Sequence, residues 1–296
     1  MPRDLLKTIR ENPKTLSELA KEFKCSKNQM KKQLTGLRKR GVQVEKIRDK
    51  NGETHYYVPS RLRSSVRVVK TDYFGLIGDT HLCSKYAEEE ALQMYYDEIA
   101  DRGIKEVFHA GDLIDGMNVY QGQVNDLKVI GLTDQIEYAI KNYPKKKGVK
   151  TRVIAGNHDL KEFKKSGIDP VKQIAQERKD IDYLGQYYGR VKLKGDVILE
   201  LSHVSGGAPY SLSYRMQTYL RNRPPSKYPD ILAMGHLHTS FFADYQDVLT
   251  YNVGSFMGDT DFLRRKGIIS TIGGWIVELK VKDGRVVKAI NEWVKF

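Results

Sequence analysis

Cysteine is almost missing: Cys25 and Cys83 are the only two in 296 residues and sit in unrelated contexts. That argues against a disulfide framework and a cysteine metal cluster, so any metal ligands must be His, Asp and Asn. Long apolar runs are missing too. No stretch approaches the roughly 18 residues of a membrane span, and the opening MPRDLLKTIRENPK has no apolar segment leading to a small-residue cleavage site. The expectation is a cytoplasmic protein that does not engage a membrane. What is present, 40% hydrophobic and 29% charged residues, is the composition of an ordinary folded chain and excludes collagen-like repeats and wholesale disorder. A length of 296 residues suits one large domain or a large one with a satellite.

The net charge of +13 is unevenly placed: Met1 to Lys70 carries 19 Lys and Arg against 7 Asp and Glu, a net +12, and the remainder carries 31 against 30. A basic module joined to a charge-balanced body points to a polyanion for the first part and a separate task for the second. Asp4 to Arg10 reads as a short helix that Asn12-Pro13 ends. Thr15-Leu-Ser-Glu18 is a capping-box pattern opening a helix with Leu16, Leu19, Ala20 and Phe23 on one face. Ser26-Lys-Asn-Gln29 is another, with Met30, Leu34 and Leu37 inward. The short turn at Lys24-Cys25 forces a steep crossing and frees the second helix to enter a major groove. Its outward positions are Lys27, Asn28, Lys31, Lys32, Arg38 and Lys39, cations for phosphate with one amide able to read a base edge. After Gly41, two alternating stretches flank Asn51-Gly52, a hairpin signal. In element order residues 1–62 resemble a winged helix-turn-helix module, which implies nucleic acid as partner, DNA rather than RNA. Arg61 to Lys70 reads as linker.

From Tyr73 the chain repeats an apolar strand, a polar turn and a helix. Strands end in Gly78-Asp79-Thr-His81, Gly111-Asp112-Leu-Ile-Asp115, Gly156-Asn157-His158-Asp159, His203 and Gly235-His236-Leu-His238. In layered α/β folds, strand ends are where a site is assembled. Five of the seven histidines fall there, all but His55 and His109. Asp79, His81, Asp112, Asn157, His203, His236 and His238 together form a ligand list for two divalent metals, since carboxylates, an amide oxygen and imidazoles suit Mn, Fe or Zn and not Ca. A carboxylate such as Asp112 can bridge two cations by giving one oxygen to each.

These blocks, in this order, resemble the calcineurin-like metallophosphoesterase superfamily over residues 70–296. The resemblance implies a mixed α/β fold of two sheets packed between helical layers. It implies that Asp79, His81, Asp112 and His238 hold one metal and Asp112, Asn157, His203 and His236 the other. Manganese is the foremost choice, with Fe, Zn, Ni or Co compatible. It also gives His158 the task of stabilising charge or protonating the leaving oxygen, with Asp115, one helical turn beyond Asp112, orienting it. Asp159 suits a turn or supporting role. The mechanism would be two-metal hydrolysis of a P–O bond.

Departures narrow the substrate. Gly116-Met117 stands where protein phosphatases of the superfamily place a phosphate-gripping arginine, and the third block ends in Asp159, not Glu. The fourth block is His203-Val204 in place of the usual His-Gly, and only about sixty residues follow His238. Between ligand blocks, Pro209 to Arg223 offers Tyr210, Tyr214 and Tyr219 with Arg215, Arg221 and Arg223, suiting either base stacking or an amphipathic surface helix. The leading expectation is a phosphodiesterase or nuclease delivered to DNA by its basic module. The alternatives are a phosphomonoesterase or small-nucleotide phosphodiesterase, and a non-catalytic DNA-binding regulator.

Overall fold

The computed structural model describes residues 5, 8–9, 14–39, 44–48, 53–57, 67–206 and 210–296. They divide into two units, Met1–Ser65 with Arg223–Tyr228, and Val66–Asn222 with Pro229–Phe296. The 223–228 segment, which sequence reading keeps in the body, thus groups with the first unit.

In the first unit Leu5, Thr8 and Ile9 are helical. A two-residue strand, β1 (Lys14–Thr15), runs into α1 (Leu16–Glu22), and α2 (Lys27–Lys39), β2 (Glu45–Arg48) and β3 (Thr54–Tyr57) follow. The start of α1 is held by a full capping box: Thr15 Oγ1 accepts the Glu18 N–H at 3.2 Å and the Glu18 carboxylate accepts the Thr15 N–H at 2.7 Å. Ser26 and Gln29 make the same reciprocal pair before α2, at 3.2 and 2.9 Å. Met30, Leu34 and Leu37 of α2 pack with Ile9, Leu19 and Ala20 of the preceding segments. This is the face their spacing predicts. The strands form a sheet in the order β1-β3-β2, both pairings antiparallel. Asn12-Pro13, Gly41, Asn51-Gly52 and residues 61–66 lie outside the described residues, as do the side chains of Arg38 and Lys39. We expect Thr15→Ala to weaken α1 by about 1 kcal/mol, the usual value of such a cap, seen as faster amide exchange in Leu16–Glu22 with the rest of the chain unchanged.

The second unit contains, in order, β4 (Arg67–Val68), β5 (Tyr73–Ile77), α3 (Glu89–Asp101), β6 (Glu106–His109), α4 (Leu132–Asn142), β7 (Lys150–Ala155), α5 (Phe163–Ser166), α6 (Pro170–Glu177), β8 (Ile181–Gln186), β9 (Tyr188–Lys192) and β10 (Ile198–His203). Then come α7 (Tyr214–Arg221), β11 (Ile231–Gly235), β12 (Ser240–Tyr245), β13 (Val248–Val253), α8 (Asp261–Arg265), β14 (Gly273–Lys282) and β15 (Arg285–Lys295). They build two six-stranded sheets, β15-β14-β5-β6-β7-β8 and β12-β13-β11-β10-β9-β4. Within them β5 to β8 pair in parallel, as do β10, β11 and β13, so the carboxyl ends of these strands share an edge of each sheet.

Alternation along β5 shows how the layers arise. Phe74 and Leu76 enter a core between the two sheets with Phe108, Leu199, Leu201 and Ile231. Ile77 faces the other way, into a core with Leu92, Tyr96 and Ile99 of α3, Ile136 of α4 and Ile174 of α6. Each such side chain taken from water is worth about 1.5–3 kcal/mol. Gly75 sits where a Cβ would lie 2.5 Å from Tyr95 Oη, the hydroxyl that donates to the Trp275 carbonyl at 2.7 Å. Proline at the first position of α6, behind the Asp169 cap, fits a site whose N–H has no helical partner.

Among the described residues α7 lies against the outer face of the other sheet. There Tyr219 of α7 donates to Glu200 of β10 at 2.6 Å, and Met216 and Leu220 are buried. The 214–221 stretch is therefore an amphipathic helix with Tyr219 turned inward, which leaves Tyr210 and Tyr214 exposed. Among the described residues no helix is long and apolar enough to cross a membrane.

Candidate functional site

The polar residues that end β5, β6, β7, β10 and β11 meet where the two sheets adjoin. Backbone bonds hold the loops together: Asp79 N–H donates to Gly111 O at 2.9 Å and His81 N–H to Asp112 O at 3.1 Å. Leu82 N–H continues the row to Leu113 O. The 112–115 stretch is thus pinned alongside residues 79–82 and is not a helical turn, which corrects the placement of Asp115 one turn beyond Asp112. Five of the seven candidate ligands, Asp79, His81, Asp112, His236 and His238, have φ between +41° and +83°. Such a conformation costs non-glycine residues of order 1–3 kcal/mol and persists where surrounding structure imposes it, typically at functional sites. Close approach sets the glycines: a Cβ at Gly156 would lie 2.2 Å from Asp112 Oδ1, and one at Gly111, 2.6 Å from His203 Nδ1.

Each of the four histidines in the candidate ligand set has one ring nitrogen turned to an acceptor outside the cluster. His203 Nδ1 donates to Ala110 O at 2.7 Å and His236 Nε2 to Gly206 O at 2.8 Å. His81 Nδ1 donates to Asp115 Oδ1 at 2.9 Å. His238 Nδ1 faces Ser255 Oγ at 3.4 Å, a hydroxyl whose own proton goes to Asp79 O at 2.9 Å. Held this way, the rings of His81, His236 and His238 aim their remaining lone pairs inward, the arrangement by which outer partners orient metal-binding imidazoles, whereas for His203 burial is outweighed by the Asp112 carboxylate, which raises the ring to about 9. The inward atoms crowd. His81 Nε2 and His238 Nε2 are 3.2 Å apart, and Asn157 Oδ1 lies 3.0 Å from His203 Nε2 and 2.8 Å from His236 Nδ1.

Acidic groups complete two clusters. Ligand atoms of Asp79, His81 and His238 lie within 4.8 Å of one another, as do those of Asp112, His203 and His236. Asp112 joins them through one atom: Oδ2 is 3.1 Å from His203 Nε2 and 3.8 Å from His81 Nε2, while Oδ1 accepts the His158 N–H at 2.8 Å. Oδ2 thus faces rings of both clusters, and Oδ1 is engaged by the loop that carries Asn157 and His158. Burial pushes the Asp79 carboxyl up to about 8, despite the His203 imidazole. Burial acts the same way on Asp112, but His203 and His158 overcome it and hold that carboxyl well below the usual range. Burial also depresses His81, takes His236 down to about 4, and puts His238 well below the ordinary value, keeping these rings in the neutral form that ligates. Carboxylates and imidazole nitrogens gathered out of water fit divalent cations, whose charge would compensate the burial, and thiolate-free N/O donors fit first-row metals.

His158 stands beside this set. Its ring lies edge-on to His81, centroids 4.4 Å apart, and its Nδ1 donates to the Asp115 backbone carbonyl at 2.8 Å and approaches Asp115 Oδ1 at 3.2 Å. Burial would lower its pKa, but Asp112 and Asp115 outweigh burial and raise it to about 9. His158 also has a ligand atom within 4.8 Å of His81 and Asp112, closer to the clusters than its expected place outside them implies. The Asp115 carboxylate serves two rings, with the shorter bond to His81.

Several supporting residues gave no signal in the sequence. Gln123 donates to Asp115 Oδ2 at 3.0 Å and to its carbonyl at 2.9 Å. His109, pushed down to about 3 chiefly by burial, contacts Thr80 Oγ1 at 3.1 Å and accepts the Gly111 N–H. Ser255 links Asp79 to His238. Asp159 accepts three backbone N–H groups, from Gly156, Ile114 and Leu113. Asp159 is the exception in this group, since the G-N-H-D block already suggests a turn or supporting role for it. In the other unit Lys27, Asn28, Lys31 and Lys32 are exposed on α2.

The sequence profile of the calcineurin-like phosphoesterase superfamily domain matches residues 73–272. The DNA polymerase II small subunit of Methanothermobacter thermautotrophicus is 24% identical over 243 residues, 67% of this chain and 50% of that protein. That of Archaeoglobus fulgidus is 24% identical over 240 residues, 65% of this chain and 48% of that protein. The chain spans about half the length of these curated relatives. A solved structure described as a novel archaeal phosphodiesterase aligns with a TM-score of 0.44 at 14% identity, covering 75% of this chain and 99% of that one. With the profile covering most of the chain, from β5 past α8, this protein belongs to the calcineurin-like phosphoesterase superfamily.

Proposed function

We propose that this chain is a metal-dependent phosphodiesterase that cuts nucleic acid, DNA rather than RNA, and that residues 1–62 are a winged helix-turn-helix that brings it to that substrate. The observation that carries the hydrolytic reading is the inward crowding of lone pairs from His81, His238, His236 and Asn157 around two buried carboxylates. Asp79, His81, Asp112 and His238 would hold one divalent cation and Asp112, Asn157, His203 and His236 the other. Manganese is the first choice, with Fe, Zn, Ni or Co able to replace it. Such ions, when bound, supply the charge that polarises a phosphoester and acidifies water.

The chain's own residues do the rest. With Nδ1–H held by Asp115, His158 presents Nε2 to the substrate, and its raised pKa keeps a proton there near neutrality. Water adds its oxygen to phosphorus and the P–O bond to the departing alcohol breaks. His158 passes its proton to that oxygen and recovers one from water. The exposed Lys27, Lys31 and Lys32, with Asn28, Arg38 and Lys39 on the same helix, supply phosphate neutralisation and one base-reading amide, the electrostatic part of DNA affinity. Tethering then raises the local concentration of DNA at the site.

Incubating the purified chain with Mn²⁺ and either DNA, RNA or bis(p-nitrophenyl) phosphate tests this. Cleavage of DNA that EDTA stops and Mn²⁺ restores is expected. Turnover of the model diester with no cut in either nucleic acid defeats the substrate assignment, and preference for a monoester makes the protein a phosphatase. A second reading is a non-catalytic DNA-binding regulator, and the polymerase small subunits among the relatives favour a role in handling DNA for it. Metal binding without turnover of any phosphoester would select it.

A further inference from the structure

A row of rings leads away from the candidate site. Beyond His158, Tyr120 follows with centroids 6.5 Å apart, and Phe262 stacks on Tyr120 at 4.8 Å with planes 16° from parallel. Lys266 Nζ lies over the Phe262 ring, 5.8 Å from its centre. The two stacked rings come from separate parts of the chain. Tyr120 belongs to the loop after β6 and is tied by its hydroxyl to Asp126 at 2.8 Å. Phe262 belongs to α8, whose first turn Thr260 caps by accepting the Leu263 N–H at 3.2 Å.

Neither ring is part of the two cores of this unit, and Phe262 is 37% exposed. On α8 it is Leu263 that packs inward, so the placement of Phe262 is not explained by core filling. The helix and the residue after it also present Arg264, Arg265 and Lys266 to solvent. The loop bearing Tyr120 walls a cavity of about 370 Å³ with Met117, Gln123 and Leu127 among its lining, a volume within the range of small-molecule sites.

We infer that the Tyr120–Phe262 stack is a nucleoside subsite that takes the base of the departing nucleotide, with Lys266 at its outer end receiving the next phosphate. This rests on the diester-hydrolysis reading above. His158 is the proton donor in that reading, so the group beside it is the leaving group, and the rings extend on that side. Aromatic faces accept any base; the exposed Lys266 side chain would swing off the Phe262 face as the base arrives and meet the phosphate of the continuing backbone. A base can reach the stack only when unpaired, so the favoured substrate is single-stranded DNA.

The test uses the full chain. Single-stranded oligonucleotides carry one tetrahydrofuran abasic residue on either the leaving or the retained side of a mapped cleavage site, and are cut in Mn²⁺. Loss of the leaving-side base should slow cleavage roughly tenfold, consistent with typical base stacking, while loss of the retained-side base changes it little. Phe262→Leu should erase that difference. In EDTA, a short oligonucleotide with 2-aminopurine should be quenched by the wild-type chain and much less by Phe262→Leu. Equal cleavage of both abasic substrates, with 2-aminopurine left bright, overturns the subsite and makes the stack a structural contact. Quenching that depends on Phe262, in a protein that cuts no phosphoester, upholds the base subsite while the hydrolytic reading falls.

Discussion

Asp112→Asn is expected to abolish Mn²⁺-dependent diester hydrolysis while leaving the fold intact. The asparagine carbonyl can still accept the His158 N–H that Asp112 Oδ1 accepts at 2.8 Å, so the loop between β7 and α5 keeps its anchor. The change falls on the other atom. Oδ2, 3.1 Å from His203 Nε2 and 3.8 Å from His81 Nε2, is the oxygen that faces both clusters. Substitution puts an uncharged amide N–H₂ there. Removing groups that merely support ligands commonly costs 10–100-fold in affinity or activity, and loss of the shared carboxylate should exceed about 100-fold. Initial rates on bis(p-nitrophenyl) phosphate, metal content by plasma mass spectrometry and a melting curve read the three parts separately. A variant that keeps a tenth of the wild-type rate with normal metal content would remove Asp112 from the centre of the mechanism.

The second large effect is on stability. Asp159→Ala deletes the acceptor of three N–H groups, Gly156 at 2.8 Å, Ile114 at 3.0 Å and Leu113 at 3.2 Å, in a residue only 1% exposed. Hydrogen bonds to a charged partner contribute about 1.5–3 kcal/mol each. Deletion also relieves a buried carboxyl that burial and the nearby Asp112 push up to about 7, against the pull of those same amides. The offset leaves a net loss of about 3 kcal/mol, a fall in Tm of roughly 5 °C for a chain of this size. Thermal denaturation of metal-free protein measures it, with Asp159→Asn, which retains one acceptor oxygen, expected between the two. A shift under 2 °C for the alanine variant would show that water replaces the carboxylate at no cost. Activity should fall along with stability, because Asp159 fastens the strand end carrying Asn157 to the loop carrying Asp112.

Much of this is legible in the amino-acid sequence. Strand-ending blocks with Asp-x-His and His-x-His spacing named the residues that converge, since a short link after a buried strand leaves a side chain few directions to take. The capping boxes at Thr15 and Ser26 were equally readable, being local hydrogen bonds over three residues. The bonds that decide how the site is held were not. Ser255 and Asp79 are 176 positions apart and Asp159 and Ile114 are 45 apart, and nothing in either segment names the other. The 112–115 stretch looked like a helical turn because its own residues allow one. It runs alongside residues 79–82 instead because β5 and β6 lie side by side and their loops continue the pairing.

The amino-acid order by itself determined which side chains can ligate, which segments alternate or cap, and where the positive charge is concentrated, because each depends on neighbours a few positions away. Only the tertiary structure decided that one oxygen of Asp112 faces both clusters, that Asp115 serves His81 more closely than His158, and that Tyr120 meets Phe262. Those outcomes depend on how two sheets and their loops pack together, and packing is a relation between distant segments that no single one of them contains.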